Sequence, residues 1–171
     1  MEALKIIGFA IFAAIAYGVL HDQVTAHLCV EYFTIGHPPV FPTSSPFLLA
    51  LGWGVVATWW VGLPLGIGLA VAARAGRAPG LSLAQLRRPI LLLMLGCGLF
   101  ALLAGIAGAV GAAMGRVWLV GWLADAVPPE RHVAFLADLW AHSASYAGGV
   151  LGGLGLMVWT WRRRRTGLSS R

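Results

Sequence analysis

Residues 6–20, 46–73, 89–114 and 143–161 contain no Asp, Glu, Lys or Arg, and these uncharged runs are the first constraint on what the chain can fold into. Roughly 20 apolar residues in helical form cross the hydrocarbon core of a bilayer. The 171-residue chain is 59% hydrophobic and 11% charged with a mean hydropathy of +0.82, whereas about a quarter of the residues of a soluble domain are charged. No segment shows the ten-residue alternation of an outer-membrane strand. The expected class is an all-α integral membrane protein: a four-helix transmembrane bundle with a short interfacial helix between helices three and four.

The expected spans are about 3–33, 46–73, 89–114 and 129–161, within one transmembrane domain over residues 1–165 and a cytoplasmic tail over 166–171. The first span is read as a retained helix rather than a cleaved signal peptide, because its start holds only one basic residue, Lys5, beside Glu2, and the apolar run continues to Leu20. No Gly or Pro lies between Val19 and Ile35, so helix one is expected to run unbroken to about Phe33. Pro38, Pro39, Pro42 and Pro46 mark a loop, with Ser45 as helix cap and Pro46 in the first turn of helix two. Pro64 should kink that helix, and Gly62, Gly66 and Gly68 invite a close neighbour. Residues 74–88 read as a basic loop. Gly105, Gly108 and Gly111 on helix three and Gly148, Gly149, Gly152 and Gly153 on helix four suit close helix packing, either with each other or with another copy or partner. Trp118 and Trp122 place residues 117–127 at a membrane interface.

A net charge of +6 would point to nucleic acid in a soluble protein. Here the basic residues flank apolar runs: Lys5, Arg74, Arg77, Arg87, Arg88, Arg162–Arg165 and Arg171 fall at one side, and only Arg116 and Arg131 at the other. Nucleic-acid binding is excluded, and the positive-inside rule puts both termini in the cytoplasm, with a bacterial inner membrane as the expected location. Cys29 and Cys97 are too few for a disulfide framework.

All five histidines, and every acid except Glu2, then lie toward the non-cytoplasmic side. His27 and Glu31 stand four apart on helix one and share a face, as do Asp138 and His142 on helix four. His21 is near enough around helix one to join. Counted from the span ends, both pairs sit at the outer edge of the hydrocarbon. If helices one and four touch, His27, Glu31, Asp138, His142 and His21 form a metal site, and the donor types fit zinc or iron. Glu31 and Glu130 are the candidate catalytic bases. Asp22 and His37 are assigned to solvent or loop. A structural polar network and a subunit contact remain alternatives for the same residues. The function expected is a membrane protein with this metal site, acting as an enzyme on a lipid-like or amphiphilic substrate; the alternative is a non-enzymatic subunit or assembly protein whose outer cap docks a partner. No Walker, Rossmann, CxxC or HExxH motif is present.

Overall fold

The structure, a computed structural model, describes residues 1–166; the tail expected over 166–171, apart from Thr166 at the end of the last helix, lies outside the described residues. Among the described residues every regular element is helical. The order is α1 (Glu2–Leu28), α2 (Val30–Thr34), α3 (Pro46–Val56), α4 (Trp59–Arg74), α5 (Leu83–Ala113), α6 (Trp122–Ala126), a 3-10 turn (Pro129–Arg131) and α7 (His132–Thr166). Three stretches, Glu2–Leu28, Pro46–Arg74 and Leu83–Ala113, are long and apolar enough to cross a membrane. The 35-residue α7 is not among them.

Several boundaries differ from the sequence expectations, each for a local reason. Helix one stops at Leu28 because Cys29 is extended (φ −147, ψ 90), and the chain restarts as α2. Arg131 Nη2 donates to the Leu28 carbonyl at 2.8 Å, which satisfies an acceptor that the broken helix leaves open. The interruption of helix two lies at Ala57–Thr58, before Pro64, and Pro64 stands inside α4. There the Thr58 hydroxyl donates to the Gly54 carbonyl one turn back, a bond that competes with the helical ladder. Helix three begins at Leu83, so residues 83–88 are helical and not loop. Ser82 and Gln85 form a capping box, and Pro89 further in removes a single backbone bond.

α1 packs along α3 and α4, and α5 along α7, the most extensive pairing. Small residues allow both approaches. A Cβ on Gly54 would lie 2.6 Å from the Val19 backbone of α1, and one on Gly62 would lie 2.7 Å from Ile11. Gly105 and Gly108 meet Ala137, Leu136 and Trp140 of α7. Among the described residues there are two apolar cores, one around Ile6, Leu69, Leu86 and Ile90, the other around Cys29, Phe33, Leu49, Val127 and Phe135. Along α1 the residues between these cores include Tyr17, Gly18, His21 and Asp22, and a polar layer forms there.

At the far end from this layer, Arg164 donates to the carbonyls of Ala72 and Ala75, closing the C-terminus of α4. Glu2 accepts from Lys5 and from the first amide of α5 at Leu83, which ties the two helix starts together.

Candidate metal centre

α1 and α7 come together mainly through side chains. Tyr17 and Ser145 share a hydrogen bond of 2.7 Å, and one turn further along α1 His21 and Asp22 reach His142. His21, Asp22 and His142 form a group whose donor atoms all lie within 4.8 Å of one another, an arrangement that could hold a metal ion. Adjacent residues on a helix point about 100° apart, and His142 lies close enough to both His21 and Asp22 to join them in one group.

The geometry fixes the tautomer of His142. Its Nδ1 lies 2.9 Å from the Asp138 carbonyl oxygen, an acceptor, so Nδ1 carries a proton and donates it. Nε2 is left facing Asp22 Oδ1 at 3.4 Å. In the neutral ring that is a lone pair facing a carboxyl oxygen, so a proton, carried by His142 or by Asp22, or a metal belongs between them. Bonds of about 2.0–2.2 Å to nitrogen and oxygen in a tetrahedral site separate two donors by about 3.4 Å. His21 Nε2 is buried with no hydrogen-bond partner, as an unused third donor would be. A cavity of about 30 Å³ bounded by Gly18, His21, Asp22, Thr58, His142 and Ser145 leaves room for one small ion or water.

Aromatic rings close the site from the α2 side. Tyr32 stacks on His142 at 4.4 Å, and Phe33 lies edge-on at 5.7 Å. The break at Cys29 positions both rings, since a continuous helix would carry them onward along the axis of α1. His37 Nδ1 donates to the Tyr32 carbonyl, and its ring packs on Phe33 and Trp53. Burial holds His37 below the usual histidine value despite its bond to Tyr32, with His142 nearby adding to the fall and Asp22 opposing it.

The expected site residues divide. His21, His142 and Asp138 are brought to this layer. Asp138 is 0% exposed, and neither of its carboxyl oxygens has a hydrogen-bond partner. His27 is exposed, its Nδ1 donating to the Gln23 carbonyl at 2.7 Å, and it is not drawn to the cluster. Glu31 pairs with Arg131 at 2.9 Å and accepts from the Cys29 thiol. Burial raises its carboxyl, but its own backbone amide, Arg131 and Cys29 outweigh that and hold it below the usual carboxylate value. Glu130 is exposed in the 3-10 turn. Asp22, assigned to solvent from the sequence, is 5% exposed and central. Tyr17, Tyr32 and Phe33 were not singled out as site residues by sequence reasoning.

No protein-family model, curated protein or solved structure matches this chain. Functional inference therefore starts from the geometry.

Proposed function

We propose that the chain is a four-helix transmembrane bundle that binds zinc or iron on His21, Asp22 and His142 and acts on a lipid-like or amphiphilic substrate at the non-cytoplasmic face of a bacterial inner membrane. The convergence of two imidazoles and one carboxylate from opposite ends of the chain carries this reading. Two histidines and a carboxylate are the donor set of open non-haem iron sites, and three protein donors with one free position are usual for catalytic zinc. When bound, such a metal polarises a carbonyl or phosphoryl oxygen or makes a nucleophile of water. The chain's own part is to orient His142 through the Asp138 carbonyl, to hold His21 and Asp22 on one helix, and to exclude bulk water with Tyr32 and Phe33.

The membrane setting is supported by which side chains face out. Leu95 and Leu151 are each 69% exposed, while Asp138 and Thr160 are 0% exposed. That inversion suits lipid as the solvent. It also explains the lower apolarity of α7: its polar residues Asp138, His142, Thr160 and Arg164 point inward, and Val150, Leu151, Leu154 and Val158 point outward. The basic residues at Lys5, Arg74–Arg88 and Arg162–Arg165 favour cytoplasmic termini.

Element analysis of the detergent-purified chain tests the metal assignment. About one equivalent of zinc or iron is expected; less than a tenth of an equivalent, unchanged after reconstitution with either metal, rules it out. A second reading, a non-enzymatic subunit docking a partner through its outer cap, is favoured by the exposed Trp118, Val120 and Trp122. A stoichiometric companion recovered from native membranes, with no metal, would select it.

A further inference from the structure

We propose that the groove between α1, α5 and α7 binds a long-chain amphiphile whose head group donates hydrogen bonds, and that Asp138 receives them. This rests on the membrane setting above and names the substrate class for the same site, but it assigns Asp138 no role as metal ligand.

Two independent observations meet here. The groove has a volume of about 440 Å³, within the range of small-molecule sites, and its walls, among them Leu20, Val24, Leu102 and Ile106, suit a hydrocarbon chain. At its inner wall stand Asp138 and His21, whose Asp138 Oδ1 and Oδ2 and His21 Nε2 are buried without a hydrogen-bond partner. A carboxyl removed from water and left unpaired is costly, and the protein does not supply its partner. The cation that could do so, Arg131, donates instead to Glu31 and to the Leu28 carbonyl. Asp138 is fully covered, so a hydroxyl or an ammonium on the end of an alkyl chain reaches it only as the side chains over it part, and it then satisfies the carboxyl while the chain fills the apolar groove. His21 belongs both to this wall and to the metal group, so a head group at Asp138 lies beside the proposed metal.

The test uses the full chain in phosphatidylcholine nanodiscs, a photoreactive long-chain alcohol as probe, and hexadecanol, hexadecylamine and hexadecyl methyl ether as competitors. Labelling is expected within residues 20–28 and 102–106. Hexadecanol or hexadecylamine should compete at least about tenfold better than the ether, the worth of a hydrogen bond to a buried carboxyl. Whichever competes better identifies the head group as hydroxyl or ammonium. Asp138→Leu should abolish the difference between competitors. Should that variant fail to fold, Leu102→Trp, which fills the groove from an exposed position, should lower labelling about tenfold in folded protein. Equal competition by the ether, an unchanged preference in folded Asp138→Leu, or undiminished labelling of Leu102→Trp overturns the proposal. Metal content of the same samples is read separately. Full metal with no head-group preference removes the groove assignment alone; a clear preference in metal-free protein removes the metal assignment alone.

Discussion

A lone pair on His142 and a carboxylate oxygen of Asp22 do not rest at 3.4 Å without a proton or a metal between them, and this contact singles out both residues. Because protons compete with a metal for the same ligands, metal affinity should fall as pH is lowered, and titration with zinc at several pH values measures it. Asp22 was legible in the sequence through a pattern that its charge disguised. Ala10, Ala14, Gly18, Asp22 and Ala26 recur every fourth residue, and all five are buried on the packed face of α1. The His27–Glu31 spacing pointed elsewhere because it assumed an unbroken helix. The break at Cys29 sends Glu31 to Arg131. That pair gives a pH signature of its own. A carboxyl held below its ordinary value of 4.5 stabilises the fold above that value, and the contribution is lost as pH falls through the lower, folded value. Thermal melting of the wild type and Glu31→Gln should differ by about 1 kcal/mol at neutral pH and converge in acid. Parallel curves down to the lowest pH would show that the pair contributes nothing.

Among the elements, the contact of α1 with α3 and α4 sets the height at which His21 and Asp22 meet α7. Gly54→Ala places a methyl group 2.6 Å from the Val19 backbone and should cost about 1–3 kcal/mol, with loss of the site. Gly149→Ala meets nothing within 4 Å and should be neutral or stabilising by up to about 1 kcal/mol, so melting curves of the two variants check whether packing is the cause. The uncharged runs and the Ser45–Pro46 start were readable from sequence because they depend on local chemistry. The breaks at Cys29 and Thr58 were not, because each depends on a side chain meeting a partner: Arg131 reaching Leu28, and Thr58 bonding Gly54 beside Gly18 of α1. The capping box at Ser82 and Gln85 was local and legible, yet Pro89 and the arginines before it drew the boundary too late.

Among the described residues, a buried polar layer lies between two apolar cores, and many large apolar side chains are exposed on the outside. Four spans with cytoplasmic ends require the loop around Arg77 and the cap around Trp118 to lie on opposite sides. Single cysteines at Arg77 and at Arg116, placed in a chain whose own two cysteines are removed, should label from opposite sides of sealed vesicles; labelling from the same side contradicts the four-span topology. In the proposed assignment His21, Asp22 and His142, and not the exposed His27, bind the metal. Its most direct test is the metal content of His142→Ala and His27→Ala, purified side by side from the same medium and melted to confirm that both fold. His27→Ala should keep the wild-type equivalent and His142→Ala should fall below a tenth of it; loss in His27→Ala, or full retention in folded His142→Ala, overturns the assignment.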